Sequence, residues 1–168
     1  MKKQKKKFIV ITGLPGSGKT SIANKLKKKV DKLNGLTIVI NGDDVRSIFK
    51  FRGYSLKDRA SHAAPYFRLC NFIYQKNINI ILTCVSLPDQ SRKIWKKNKK
   101  IIFIHVNAKL ADRIKNKKKV YTKYKKNLPG IDLKIPKPKI VDIIINNNFK
   151  EDIQTLSNKI WKKMLIFF

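Results

Sequence analysis

Residues 13–20 read Gly-Leu-Pro-Gly-Ser-Gly-Lys-Thr, which matches the pattern G-x-x-x-x-G-K-[ST] at every position. Glycines with this spacing let backbone N–H groups curl around phosphate oxygens, and the helix that follows adds partial positive charge. In this pattern Lys19 reaches the β- and γ-phosphates of a nucleotide, and the Thr20 hydroxyl holds Mg²⁺. The octapeptide therefore predicts a site for ATP and Mg²⁺. The residues predicted to bind ATP here are Gly13, Gly16, Ser17, Gly18, Lys19 and Thr20.

The residues on either side of the octapeptide support this prediction. Residues 8–12 form a short apolar, β-branched run, as expected of a buried strand, and Ile22, Leu26 and Val30 recur at helical spacing after it. A strand, a glycine-rich loop and a helix in this order are the setting that phosphate binding requires. A glycine-rich turn that matched the pattern by chance would not need both flanks.

A pair of carboxylates follows the second apolar run. Asp43 and Asp44 come shortly after residues 37–40, and the carboxyl ends of neighbouring parallel strands converge on the ligand crevice of α/β sheets. A carboxylate there can help to hold Mg²⁺ or accept a proton from an attacking hydroxyl group. Either aspartate could instead cap the next helix. Because residues 78–86 contain no acid, Asp43 is the candidate catalytic and Mg²⁺-linked carboxylate.

Five near-continuous apolar runs predict a parallel sheet that is buried on both faces. Helical segments lie between these runs, and this alternation is typical of the α/β class. The predicted strands are residues 8–12, 37–40, 78–85, 101–106 and 140–145, and the predicted helices are residues 19–33, 44–50, 65–76, 90–98, 108–115 and 151–165. Since the chain of 168 residues shows no linker and no internal repeat, we expect a single domain over residues 1–168.

Residues 115–126 are unusually rich in lysine, and prolines and a glycine follow as far as Pro138. Such residues favour an irregular segment. Two interpretations stay open. The segment is either a solvated loop in a lysine-rich protein, or a lid over about residues 115–138 that closes over the phosphates of ATP.

The chain is strongly basic, with 40 Lys and Arg against 10 Asp and Glu and a formal net charge of +30. Such a charge attracts polyanions at low salt, although the enrichment in Lys, Ile, Asn and Phe also fits an A/T-rich genome. A hydrophobic content of 42% excludes a disordered tail. The two cysteines, Cys70 and Cys84, lie in apolar stretches and are predicted to be buried free thiols.

The apolar run after the basic N-terminus is too short for a signal peptide. No run approaches the roughly 20 apolar residues of a membrane span. We therefore expect a cytoplasmic protein with no membrane partner.

Four further motifs follow the phosphate-binding loop in the order found in the adenylylsulfate (APS) kinase family, which the chain resembles from residue 8 to about 145. That family shows D-G-D-x-x-R, G-F-S-x-x-D-R, L-Y-x-K-A and F-T-G-I-D. The corresponding stretches here are residues 41–46 (Asn-Gly-Asp-Asp-Val-Arg), 53–59 (Gly-Tyr-Ser-Leu-Lys-Asp-Arg), 120–124 (Val-Tyr-Thr-Lys-Tyr) and 128–132 (Leu-Pro-Gly-Ile-Asp). Each later motif is weak alone, but five in order are a strong signal.

The resemblance implies an α/β P-loop kinase that moves the γ-phosphate of ATP to the 3′-hydroxyl of adenosine 5′-phosphosulfate (APS). It implies that Lys19 and Asp43 are catalytic, that Asp43 is linked to Mg²⁺, and that Lys123 is a lid lysine near the phosphates. The acceptor-binding residues that it implies are Arg46, Tyr54, Arg59, Leu128 and Ile131.

On the acceptor side, the resemblance implies that Arg46 and Arg59 hold anionic groups through charge-assisted hydrogen bonds. It also implies that Tyr54 stacks on the base of the acceptor. From the residues alone, Tyr54 could equally be a core aromatic, and Arg59 could be a surface charge paired with Asp58.

The departures from the family pattern concentrate on the acceptor side, whereas the ATP side differs only at residues 115–116. Asn41 replaces the first Asp of D-G-D, and Leu128 replaces the Phe that would form the second face of a base sandwich. Where the family continues x-x-N-I-R-R, residues 60–65 read Ala-Ser-His-Ala-Ala-Pro, and residues 87–92 are one residue shorter than the family's S-P-Y-x-x-x-R. The phosphoryl-transfer machinery is therefore predicted to be intact and the acceptor pocket altered.

Three hypotheses follow. The first is a kinase of a small nucleotide acceptor, namely APS or, alternatively, a cytidine diphosphate-linked compound such as cytidine diphosphoramidate in capsule modification. The second is a polynucleotide 5′-hydroxyl kinase, but the chain shows no nucleic-acid-binding module, so we expect no specific nucleic acid. The third is a non-catalytic relic, against which the intact Lys19, Thr20 and Asp43 argue. The oligomeric state stays open, with a homodimer as one possibility.

Overall fold

The structure is a computed structural model that describes residues 6–98, 100–116, 118–123 and 128–168, without the side chains of Asn98, Lys119, Val120 and Lys123. Five strands form one parallel sheet in the order β2-β3-β1-β4-β5, as the apolar runs predicted. The strands are β1 (Phe8–Thr12), β2 (Thr37–Asn41), β3 (Asn79–Cys84), β4 (Ile101–Asn107) and β5 (Ile143–Asn146). Only β5 departs clearly from its predicted bounds, since it begins three residues later.

Helices connect the strands and cover both faces of the sheet. They are α1 (Lys19–Asn34), α2 (Gly42–Ile48), α3 (Leu56–Ser61), α4 (Ala63–Gln75), α5 (Asp89–Asn98), α6 (Leu110–Asn116), α7 (Lys118–Lys123) and α8 (Ile153–Met164), and a 3₁₀ turn (Leu165–Phe167) ends the chain. Helix α4 begins two residues before Pro65, which occupies the first turn, where the missing N–H costs little. In the part of the chain that the structure describes, no helix is both long and apolar enough to cross a bilayer.

Helices α3 and α7 were not predicted. Helix α3 begins at a capping box in which Ser55 and Asp58 satisfy each other's backbone N–H groups, and its sequence pattern, S-x-x-D, was available in the chain. Helix α7 lies within the segment that was expected to be irregular, so that expectation is wrong for residues 118–123.

The core forms two layers because successive strand residues point to opposite faces of the sheet. Ile9 and Ile11 of β1 pack on the side of α1 and α8, whereas Phe8 and Val10 pack on the side of α4 and α5. Both cysteines are buried and free, as predicted. With its two faces covered, the sheet exposes its carboxyl-terminal edge, which is where the loop of residues 13–20 lies.

A buried arginine holds the end of β1, immediately before that loop. Arg92 of α5 is only 1% exposed. Its guanidinium donates to the carbonyl oxygen of Leu87 (2.9 Å), the carbonyl oxygen of Ile140 (3.1 Å) and the hydroxyl of Thr12 (2.9 Å). Among the described residues it forms no salt bridge. The hydrogen bonds to these three oxygens therefore stabilise its buried positive charge. Arg92 therefore joins β1, α5 and the chain before β5.

Replacing Arg92 by Lys should lower the free energy of unfolding by about 2–4 kcal/mol, because one ammonium group cannot reach three buried oxygens. Urea denaturation of the two proteins measures this difference. The control is Lys93→Ala, a change at the exposed neighbouring position, which should cost no more than about 0.5 kcal/mol. A loss below about 1 kcal/mol in Arg92→Lys would show that the three bonds do not stabilise the sheet edge.

Candidate active site

A cavity of about 920 Å³ opens at the carboxyl ends of β1, β2 and β3. Its walls come from the loop after β1, the start of α2, and the chain between α2 and α4. Most of the residues singled out in the sequence meet here. Those that line the cavity are Gly16, Gly18, Lys19, Thr20, Asp43, Arg46, Tyr54, Arg59 and Leu128.

Among the predicted site residues whose side chains the structure describes, three do not line the cavity. Gly13 donates its N–H to the carbonyl of Val85, and Ser17 is fully buried. Ile131 donates its N–H to the carbonyl of Leu128 in a tight turn and is 52% exposed, so its contact with the acceptor stays a prediction. The side chain of Lys123 lies outside the described part of the chain, so its predicted contact stays a prediction.

The loop of residues 13–20 depends on glycine at two positions. Gly16 and Gly18 have φ angles of +77° and +91°, which lie in the left-handed region that side chains disfavour. A Cβ on Gly16 would also lie 2.5 Å from the carbonyl oxygen of Arg113. Helix α1 begins directly after Gly18, and Lys19 in its first turn donates to the carbonyl of Leu14 (3.0 Å).

The start of α2 presents Asp43 to the cavity. Asn41 occupies the N-cap position of α2, and both aspartates lie in the first turn, so the alternative that either of them is the N-cap is wrong. The side chain of Asn41 accepts a hydrogen bond from Thr83 (2.9 Å) and donates one to Asp44 (2.9 Å). Asp43 is exposed, and within the described part of the chain its carboxylate has no hydrogen-bond partner. Asp44 is thus engaged in the fold, whereas Asp43 is available to a ligand.

Two arginines surround Tyr54 on the opposite wall. The guanidinium groups of Arg46 and Arg59 lie 4.5 Å and 5.9 Å from the centre of the tyrosine ring. Arg46 also donates to the carbonyl of Gly53 (2.8 Å), and Arg59 donates to the carbonyl of Tyr54 (3.0 Å). These bonds fix the chain at the tyrosine and place two cations side by side.

The alternatives for Tyr54 and Arg59 are both wrong. Tyr54 is 39% exposed and is not a core residue. Asp58 accepts from the backbone N–H and the hydroxyl of Ser55 instead of pairing with Arg59. Burial, followed by the charge of Arg46, lowers the pKa of Arg59, which nonetheless stays protonated in proteins. Two adjacent guanidinium groups are suited to an anionic ligand.

Sequence reasoning missed an aromatic wall of the cavity. The rings of Phe51 and His62 stack with centroids 4.4 Å apart and planes 3° from parallel, and both residues line the cavity. Burial, followed by the charge of Arg46, lowers the pKa of His62, so its ring is neutral near pH 7. Tyr66 lies beyond them and donates its hydroxyl to the carbonyl of Gly42 (2.9 Å). The only sequence signal was the histidine that stands where the family motif has Asn.

Comparison with known proteins identifies the family. The model of the adenylylsulphate kinase family matches residues 5–146. A cytidine diphosphoramidate kinase of Campylobacter jejuni is 27% identical over 165 residues, which cover 95% of this chain and 96% of that protein. An adenylyl-sulfate kinase of Clostridium acetobutylicum is 28% identical over 154 residues, which cover 86% of this chain and 76% of that protein.

Solved structures show the same fold. The APS kinase of Mycobacterium tuberculosis, in complex with AMPPNP and APS, superimposes with a TM-score of 0.82 at 21% identity and covers 95% of this chain and 98% of its own. Since the family model spans most of the sequence and the relatives are kinases, this chain is an ATP-dependent phosphotransferase that belongs to the adenylylsulphate kinase family.

Proposed function

We propose that the enzyme transfers the γ-phosphate of ATP to a ribose hydroxyl of a small nucleotide acceptor. The observation that carries this proposal is that one cavity of about 920 Å³ joins Lys19 and Thr20 on one side to Arg46, Tyr54 and Arg59 on the other. Asp43 lines the same cavity. The volume falls at the upper end of the range of roughly 300–1,000 Å³ for ligand pockets, as two nucleotide sites that meet at their reacting ends require.

In this proposal Lys19 stabilises the negative charge on the phosphates during transfer. Asp43 accepts the proton of the attacking hydroxyl, because its carboxylate is exposed and has no competing partner among the described residues. Arg46 and Arg59 hold the anionic linkage of the acceptor. The ring of Tyr54 supports its base.

The oxygen donors of Thr20 and Asp43 suit Mg²⁺, which prefers hard oxygen ligands and usually binds through one or two protein groups together with substrate phosphates. When bound, Mg²⁺ would neutralise phosphate charge. In the described part of the chain, no three His, Cys, Asp or Glu side chains cluster as a metal site. We therefore assign the cation to the nucleotide complex.

Two acceptors fit this arrangement, namely APS and a cytidine diphosphate-linked compound such as cytidine diphosphoramidate. Arg46, Tyr54 and Arg59 match the family pattern for APS. Two observations favour the cytidine compound. Leu128 lines the cavity where the family has Phe. Losing the stacking contact on one face of the base weakens the binding of a purine more than the binding of a pyrimidine. The similarity to the C. jejuni enzyme also extends over nearly the full length of both chains.

Measuring kcat/KM for both acceptors, in the protein as it stands and in Leu128→Phe, tests this choice. We expect the unchanged protein to prefer cytidine diphosphoramidate. Leu128→Phe should shift the preference toward APS by about fivefold or more, since one aromatic face is worth roughly 1–3 kcal/mol. An unchanged ratio of the two kcat/KM values would show that Leu128 does not select the base of the acceptor. No turnover with either compound would contradict the proposed acceptor class.

Replacing Asp43 by Asn should lower kcat by about 10²–10⁴-fold, because an amide cannot accept the proton of the hydroxyl. The KM for ATP should change much less. The matched control is Asp44→Asn, since an amide oxygen can still accept the bond from Asn41. We expect that control to keep kcat within a few-fold. Equal losses in the two variants would show that Asp43 has no special chemical role.

A further inference from the structure

We infer that Arg113 and Tyr121 are positioning residues that orient the peptide groups of the phosphate-binding loop. Both lie outside the walls of the cavity, on α6 and α7. The inference rests on the proposed function in one respect, since it takes the loop of residues 13–20 to bind the phosphates of ATP.

A chain of hydrogen bonds joins these helices to the loop. Arg113 is 3% exposed, and its guanidinium donates to the hydroxyl of Tyr121 at 2.5 Å. That hydroxyl donates in turn to the carbonyl of Pro15 at 2.7 Å. Asn116, one turn further along α6, donates to the carbonyl of Gly16 at 2.8 Å. Two consecutive carbonyl groups of the loop are thus held, one by Tyr121 from outside the cavity and one by Asn116, which lines it.

Holding these carbonyls fixes the direction of the N–H groups. A trans peptide unit is planar, and its C=O and N–H point in opposite directions. When Tyr121 holds the carbonyl of Pro15, the N–H of Gly16 must point away from Tyr121. Glycine would otherwise let this peptide rotate, because it accepts a wide range of backbone angles. Gly16 lines the cavity. The hydrogen bond from Tyr121 therefore orients an N–H group at the place where a phosphate would bind.

Arg113 is suited to hold Tyr121 because its fork of donors is rigid. A second donor, Nε, bonds to the carbonyl of Ala108 (3.2 Å), the residue directly after β4, and the guanidinium lies 5.8 Å from the centre of the Tyr121 ring. In the described ranges it forms no salt bridge. A Cβ on Gly130 would come within 3.0 Å of the guanidinium. Arg113 therefore connects α7 to the chain after β4, and it lies close to Gly130 in the turn that carries Leu128.

The test is the affinity for a non-hydrolysable ATP analogue with Mg²⁺, measured by calorimetry on the full chain without any acceptor. Tyr121→Phe keeps the ring and removes the hydroxyl, and it should weaken binding roughly five- to tenfold. Arg113→Lys keeps the charge but loses the fork, and it should weaken binding to a similar extent. If the positive charge alone mattered, Arg113→Lys would keep the affinity, which would overturn the role of the fork.

A matched control separates positioning from general stability. Tyr74 also donates its hydroxyl to a backbone carbonyl, that of Lys6 (3.0 Å), and it does not line the cavity. Tyr74→Phe should lower the melting temperature about as much as Tyr121→Phe but leave the affinity unchanged. Equal affinities in Tyr121→Phe, Tyr74→Phe and the unchanged protein would overturn the inference alone. Failure of the unchanged protein to bind the analogue would overturn the proposed function as well.

Discussion

The direction of a few peptide groups in the loop of residues 13–20 is the constraint on which the rest of the site depends. Glycine gives this loop the left-handed backbone that it needs, but the same freedom lets its peptide groups rotate unless hydrogen bonds hold them. Partners from distant parts of the chain supply the missing restraint. Tyr121 and Asn116 hold two carbonyl groups, and Asn147 donates to the carbonyl of Ser17 (3.1 Å). The shape of the loop therefore depends on residues that the fold brings to the carboxyl ends of the strands from elsewhere in the chain.

The two halves of the cavity are built differently, and this difference bears on how acceptors change within a family. The half proposed to bind ATP includes the loop of residues 13–20, in which the φ angles of Gly16 and Gly18 disfavour any side chain. The half proposed to bind the acceptor is made of side chains, namely the arginines around Tyr54 and the stacked rings of Phe51 and His62. Side chains there can be exchanged without moving the backbone of the loop that is proposed to hold the phosphates. Binding differences of a few kcal/mol are enough to redirect a kinase from one small acceptor to another.

Much of this arrangement could be predicted from the sequence, because the apolar runs and the glycine loop each report a strong local preference. The five strands, the loop of residues 13–20 and Asp43 were found in this way, whereas Arg46, Tyr54, Arg59 and Leu128 were found only through the resemblance to the family. The helix at Ser55 was missed although its capping box is visible in the sequence. The buried Arg92 and Arg113 could not be found, since arginine is normally a surface residue and only the folded chain shows which carbonyls need a donor.

The most direct test of the account follows the γ-phosphate itself. Incubating the enzyme with Mg²⁺, ATP labelled at the γ-phosphate, and either APS or cytidine diphosphoramidate, and then identifying the labelled product, shows where the phosphate goes. The account predicts that the label appears on a ribose hydroxyl of the small nucleotide acceptor. Label found only in inorganic phosphate, or on the 5′ ends of added RNA or DNA, would contradict it.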